Sequence, residues 1–204
     1  MFHVKHEAWA RDARAVGLTL TPEQLEQLAA YVGLLSRIAI PRGMIAASDA
    51  DRLWERHVLD GLRGAPELSS GQTVADIGSG AGIPGLPLAI ALPAARFTLL
   101  EPRRGRVSFL EAVVDELPLS NVAVIGARAE DVSDRFQACV ARAFSSPIST
   151  WEAAQPLLAP GGVLVYWAGE RFDRATLDDL GVPSRVSTHS DLARSGPLVI
   201  MGPQ

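Results

Sequence analysis

Two of the commonest chemical handles are almost missing. The 204 residues hold a single cysteine, Cys139, and a single lysine, Lys5. One thiol excludes a disulfide framework, and its place in the apolar run Ala138-Cys-Val-Ala141 predicts a buried strand residue. No stretch approaches the roughly 20 apolar residues that span a bilayer. The opening Met1-Phe-His-Val-Lys-His6 lacks the hydrophobic region of a secretory signal, so a cytoplasmic enzyme is expected. His3 and His6 have metal-like spacing but no companion ligands, and no metal site is expected from them. Repeats and low-complexity tracts are absent. The net charge of −4 requires any nucleic-acid contact to use a local basic patch and not the whole surface.

What the chain does have is enough apolar material, 48% of its residues, for one domain with a small appendage. Residues 1–66 read as a helical amino-terminal extension. Thr21-Pro22-Glu23-Gln24 combines an N-cap, a proline at the first helical position and a glutamine at N3, and Leu25, Leu28, Val32 and Leu35 follow along one helical face. A second helix is predicted from a cap at Ser48, carrying Leu53, Trp54, Val58 and Leu62 inward and ending near Gly64 and Pro66. From residue 67 to 204, strand-like runs at 73–77, 96–101, 122–126, 138–142, 163–167 and 198–201 alternate with helical segments. That alternation predicts an α/β fold, a mostly parallel sheet with helices on both faces, the final run suiting a closing hairpin strand.

The most informative segment is Val74-Ala-Asp76-Ile-Gly78-Ser-Gly80-Ala-Gly82-Ile-Pro-Gly85. An apolar strand ends in an acid, and glycines follow where a strand turns into a helix. Glycine there permits positive φ and lets a ligand come close with no Cβ in the way. Nineteen residues past Gly82, the run Arg96-Phe-Thr-Leu-Leu-Glu101 predicts a second strand with a carboxylate at its end, where a ribose diol would be gripped. Gly80-Ala-Gly82-Ile-Pro-Gly85 satisfies the dinucleotide fingerprint. A dinucleotide fold leaves Asp76 unexplained, whereas D-x-G-x-G-x-G resembles the first motif of S-adenosyl-L-methionine-dependent methyltransferases.

Further along, Trp54-Glu-Arg-His57-Val-Leu-Asp60, Gly82-Ile-Pro-Gly85-Leu-Pro-Leu, Arg106-Val-Ser-Phe-Leu110, Arg128-Ala-Glu130 and Arg142-Ala-Phe144 occur in order. From about Leu25 to Met201 the chain resembles the bacterial 16S ribosomal RNA guanine-N7 methyltransferase family, also called glucose-inhibited division protein B. The resemblance implies a doubly wound, Rossmann-like class I fold of seven strands. It implies methylation of guanine N7 in 16S ribosomal RNA, as free RNA or in the small-subunit particle. It also implies a cofactor site at Asp76, Gly78, Gly80, Ile83, Glu101, Ala129, Glu130 and Arg142. Asp76 would help hold the amino-acid end of S-adenosyl-L-methionine, Gly78, Gly80 and Ile83 would line its amino-acid and ribose region, and Glu101 would take the ribose hydroxyls. Ala129 and Glu130 would lie at the adenine end, and Arg142 would face cofactor and substrate as the catalytic candidate. Neither membrane nor metal is implied, and a monomer suffices.

Guanine N7 carries a lone pair and no proton, so this chemistry needs alignment and a suitable field, not a general base. Phe144 and Trp167 are candidate stacking partners for an extruded base, with core packing the plainer reading of Trp167. His57 and Asp60, three apart on a helix, could pair or reach the pocket. Arg103, Arg104 and Arg106, with Arg42, Arg52, Arg56 and Arg63, could form a phosphate-tracking face, against which stands a solvated helix surface. Departures from the family are the missing Asn-Leu-Thr across Ser36–Met44 and lysines replaced by Gly105 and Ala168. Two alternatives stay open: a nucleotide-dependent oxidoreductase, although no Tyr-x-x-x-Lys pair exists, and a non-catalytic cofactor-binding relative.

Overall fold

The structure is a computed structural model that describes residues 2–169, 172–178, 181–187 and 195–203. Among these residues, seven strands form one sheet in the order β3-β2-β1-β4-β5-β7-β6. They are β1 Thr73–Ile77, β2 Arg96–Leu100, β3 Val122–Ile125, β4 Phe136–Arg142, β5 Leu158–Trp167, β6 Ser184–Ser187 and β7 Leu198–Met201. The first five pair in parallel, and β7 runs antiparallel to both β5 and β6. The β1 strand matches its expected span at both ends. Two others begin earlier than their apolar runs, β4 at Phe136 and β5 at Leu158, because pairing with a neighbour extends a strand into polar and glycine-containing sequence. The edge strand β6, Ser-Arg-Val-Ser, was not anticipated: four residues with one apolar side chain carry no alternation signal.

Among the described residues, seven α-helices accompany the sheet: α1 Phe2–Ala15, α2 Pro22–Leu34, α3 Asp60–Leu62, α4 Gly85–Ala91, α5 Arg104–Glu116, α6 Pro147–Ala154 and α7 Ala175–Asp178. The start of α2 forms as predicted, a capping box in which the Gln24 N–H donates to Thr21 Oγ1 and the Thr21 N–H donates to Gln24 Oε1. Its inward face is Leu25, Leu28, Tyr31 and Leu34, with Val32 only half-buried, so the heptad slot read for Val32 belongs to Tyr31.

The predicted second helix is not one continuous α-helix. A 3-10 stretch Ala47–Arg52, a π-helical stretch Trp54–Leu59 and the single turn α3 succeed one another, and Ser48 does not cap: the residue before the first turn is Ala46, with no side-chain bond. Leu53, Trp54, Val58 and Leu62 are nonetheless buried as expected. A wider π turn moves successive side chains off the 3.6-residue face. This places Asp49, Arg56 and His57 in one cluster, with Asp60 beyond it.

One apolar cluster contains both extension residues, such as Leu28, Leu35, Leu53 and Val58, and sheet-flanking residues, such as Leu86, Ile90, Leu99 and Phe109. The polar tips of α2 reach the same way. Gln24 Nε2 donates to the carbonyls of Ile90 and Ala91 at the end of α4, Gln27 Nε2 to Leu117 O beyond α5, and the Tyr31 hydroxyl to Ala81 O. No helix among the described residues is long and apolar enough to cross a membrane.

Candidate active site

The strand order reverses between β1 and β4, so a crevice opens outside their carboxyl ends, the place where open α/β sheets bind ligands. The β1 turn fills one side of it. Gly78, Gly80 and Gly82 all have positive φ, +70°, +59° and +88°. The Gly78 and Ser79 N–H groups donate to Leu100 O at the tip of β2, and Gly82 and Ile83 N–H donate to Ser79 O, which coils the turn into α4. A Cβ built on Gly80 meets nothing closer than 3.8 Å, so the space over it is open to a ligand. Gly85 serves packing instead: a Cβ there would come within 2.5 Å of Asp76 Oδ2 and Leu99 Cδ2.

Asp76 lies beneath this turn, 1% exposed. Its Oδ2 accepts from Gly85 N–H at 3.1 Å, while Oδ1 is buried with no hydrogen-bond partner. Burial pushes the Asp76 carboxyl up to about 7, against the lowering effect of the Gly85 and Ser79 bonds, with the nearby Glu101 charge adding to the rise. Glu101, at the end of β2, is buried too. Its Oε2 accepts from Gly80 N–H at 3.0 Å and its Oε1 from Arg103 N–H at 2.9 Å, with Arg106 Nη1 3.6 Å from Oε2. Two predicted carboxylates thus bracket the turn, one below and one at its side.

Arg142 closes the other wall at the end of β4. Its Nε lies 3.3 Å from Asp60 Oδ2, and its Nη2 and Nη1 donate to the carbonyls of Arg56, at 2.7 Å, and His57, at 3.4 Å. Asp60 also holds Arg63, Oδ1 to Nη2 at 2.7 Å, and its carbonyl accepts from Trp167 Nε1. The suggested pairing of His57 with Asp60 is therefore replaced by two separate pairings. His57 Nε2 sits 3.0 Å from Asp49 Oδ2, which also holds Arg56, while Arg52 meets Oδ1. Burial, then the Arg142 charge, lowers the His57 pKa despite Asp49, which keeps the ring neutral at neutral pH. Asp49 escaped sequence reasoning because nothing in Ala-Ser-Asp-Ala-Asp distinguishes the buried acid from its exposed neighbour Asp51.

The aromatic candidates part company. Trp167 is 3% exposed and packs on Gly64, where a Cβ would overlap its ring, so it is a core residue and not a base platform. Phe144 is 40% exposed. It follows Ala143, a non-glycine residue at φ +50°, and its ring lies against Gly78, whose added Cβ would meet Cδ2 at 2.7 Å. The adjoining loop is tied by the Tyr166 hydroxyl, which donates to Ser145 O at 2.8 Å. Phe144 and Ile148, both beyond β4, are the exposed large apolar side chains among the described residues.

The remaining candidates are placed as follows. Ala129 is buried in a 3-10 turn after β3, Glu130 is exposed beside Arg128 at 3.8 Å, and Ile83 is half-buried under the turn. Arg63 leaves the suggested phosphate-tracking face, being 2% exposed and consumed by Asp60 and Gly196 O. Arg42, Arg103 and Arg104 are exposed. Ala168 is 6% exposed, just beyond β5. Gly105 faces open space between Arg104 and Arg106, so basic side chains still flank that turn. Cys139 is buried in mid-strand, and burial pushes its thiol up to about 12, out of range for a nucleophile.

Comparison with known proteins agrees with this geometry. A "Ribosomal RNA small subunit methyltransferase G" of Mycobacterium leprae is 46% identical over 145 residues, 69% of this chain and 59% of that protein. The protein of the same name from Mycolicibacterium paratuberculosis is 39% identical over 191 residues, 84% of this chain and 77% of its own. The chain thus spans less than two thirds of the length of the Mycobacterium leprae relative. Among solved structures, a SAM dependent methyltransferase from Aquifex aeolicus superposes with a TM-score of 0.60 at 19% identity, over 79% of this chain and 97% of that one, and so shares the fold. Residues 24–178 match the family described as rRNA small subunit methyltransferase G, and to that family this chain belongs.

Proposed function

We propose that the protein is an S-adenosyl-L-methionine-dependent methyltransferase acting on N7 of a guanine in 16S ribosomal RNA, free or in the small-subunit particle. The observation that carries this reading is the open positive-φ turn at Gly78–Gly82, bracketed by Asp76 and Glu101 at the sheet's switch point. The chain's own groups fit the cofactor. Gly80 offers its amino-acid and ribose portions a surface with no obstructing Cβ, Gly78 and Ile83 lie to either side of it, and Asp76 supplies a negative field under the amino-acid end. Each Glu101 oxygen has already accepted one backbone N–H, and a carboxylate retains lone pairs for ribose hydroxyls. Ala129 and Glu130, beyond β3, belong to the adenine end.

When bound, the cofactor supplies an electrophilic methyl group on a sulfonium. The protein's task is then to place a neutral ring nitrogen in line with it, and no side chain has to remove a proton. This agrees with the site's composition: His57 is neutral and tied to Asp49, and Cys139 is inert. Phe144, exposed beside Gly78, is the surface on which an unstacked guanine would lie. Arg142 carries positive charge at the wall of the crevice, and two N–H groups on its Nη atoms remain for guanine O6, a phosphate or the cofactor carboxylate. Arginine normally grips guanine at O6 and N7 together, and here N7 has to stay free.

The test is transfer of a labelled methyl group from S-adenosyl-L-methionine to small subunits that lack the modification, followed by mapping of the base. Transfer to a guanine N7 is expected. Binding of the cofactor without transfer to either free RNA or particles would leave only the non-catalytic relative.

A further inference from the structure

The peptide plane between Ala81 and Gly82 lies at the centre of the cofactor turn and has little to fix it locally. Gly80 and Gly82 flank Ala81, both at positive φ, and glycine tolerates the rotation that flips a peptide plane. Two bonds orient it. Its N–H, that of Gly82, donates to Ser79 O at 2.7 Å within the turn. Its carbonyl, that of Ala81, accepts from the Tyr31 hydroxyl at 2.7 Å, a bond that spans 50 residues. The side-chain hydrogen bonds to the turn's N–H groups come from Asp76 in β1 and Glu101 just after β2, whereas Tyr31 reaches it from outside the sheet.

Tyr31 is fitted for this task. It is fully buried in α2, at the inward position between Leu28 and Leu34. Burial, with the Asp76 charge, raises its pKa well above the ordinary value, so the hydroxyl stays a donor. A carbonyl left buried without that donor is costly, and the cheapest relief is rotation of the plane.

From this arrangement we infer that Tyr31 is a positioning residue for the cofactor turn, which makes the helical extension part of the cofactor site. The inference rests on the reading of the turn as an S-adenosyl-L-methionine site. The hydroxyl holds the Ala81–Gly82 plane in the orientation that keeps the concave side of the turn open to the ligand.

The experiment compares wild-type protein with Tyr31→Phe, which keeps the ring and removes one oxygen, by calorimetric titration with S-adenosylhomocysteine well below the melting temperature. Leu28→Ala, which leaves a cavity on the same helix face one turn earlier, serves as the control for loss of stability. Tyr31→Phe is expected to weaken binding roughly fivefold, the equivalent of one neutral hydrogen bond, while Leu28→Ala lowers the melting temperature without moving the dissociation constant. Equal affinities for wild type and Tyr31→Phe would overturn the role of Tyr31. An equal weakening in both variants would overturn it as well, since helix stability alone would then explain the effect. Failure of the wild type itself to bind S-adenosylhomocysteine would instead overturn the proposed function on which the inference rests.

Discussion

Asp60 and Arg142 form an ion pair that joins the helical extension to the tip of β4, Oδ2 to Nε at 3.3 Å. The same carboxylate pairs with Arg63, which is 2% exposed. Removing one member of a buried pair leaves its partner uncompensated, at a cost of about 3–5 kcal/mol. Asp60→Asn keeps the shape but strands two arginines, so denaturant unfolding should show a loss of about 3 kcal/mol. Arg142→Lys keeps the charge but cannot serve Asp60 and two carbonyls with one planar fork, and should lose methyl transfer with a smaller loss of stability. A stable, fully active Asp60→Asn protein would show that the pair is dispensable.

Asp76 makes stability and cofactor binding depend on pH. Its carboxyl is raised in the folded chain to about 7 by burial, and in the unfolded chain it titrates near 4. Between those values the folded chain keeps a proton that the unfolded chain has released. The contribution is therefore complete below about pH 4 and is lost as pH rises through about 7, with a slope of up to about 1.4 kcal/mol per pH unit between. Asp76→Asn should flatten that part of the profile in thermal unfolding. A cofactor ammonium approaching Asp76 favours the ionised form, so binding at about pH 6 should release close to one proton, and much less at about pH 8. Calorimetry in two buffers of different ionisation enthalpy measures this directly, and a buffer-independent heat at pH 6 would separate Asp76 from the ligand.

How legible this site was depended on how local each signal is. The turn Asp76–Gly85 and the carboxylate at Glu101 could be read because a strand, an acid and spaced glycines follow one another within a short segment. The capping box at Thr21 was legible for the same reason. Tyr31 was not, since an aromatic on an apolar helix face looks like core, and its hydroxyl partner lies 50 residues away. The second extension helix was misread because apolar spacing records which side chains go inward but not whether the backbone winds as 3-10, π or α, and that winding decides which acid each arginine meets. Arg63 shows the consequence: in sequence it is one basic residue among several, and in the fold it is buried against Asp60.

Gly80 and Gly85 should fail in different ways. At Gly80 an added methyl meets nothing closer than 3.8 Å, so Gly80→Ala costs about 1–2 kcal/mol for a side chain at positive φ and leaves the fold intact. That methyl stands where the ligand is to lie, and binding of S-adenosylhomocysteine should be lost. At Gly85 the methyl would strike Asp76 and Leu99 in the interior, so Gly85→Ala should lower the melting temperature sharply. Circular dichroism melts beside calorimetric titrations separate the two. A Gly80→Ala protein with wild-type affinity would place the cofactor elsewhere.

Phe144 is 40% exposed and its ring abuts Gly78, so its substitution distinguishes stacking from packing. Phe144→Tyr retains an aromatic face, whereas Phe144→Leu retains apolar bulk without one. Loss of base stacking on an aromatic is worth about 1–3 kcal/mol, or about 5- to 160-fold in rate where the base is held this way only as it reacts. Turnover on small subunits should therefore fall by at least about fivefold in Phe144→Leu and stay near wild type in Phe144→Tyr, with the affinity for S-adenosylhomocysteine unchanged in both. Equal turnover of the leucine and tyrosine variants would reduce Phe144 to a cover for the glycine turn, and the base would have to be held by Arg142 and the phosphate contacts alone.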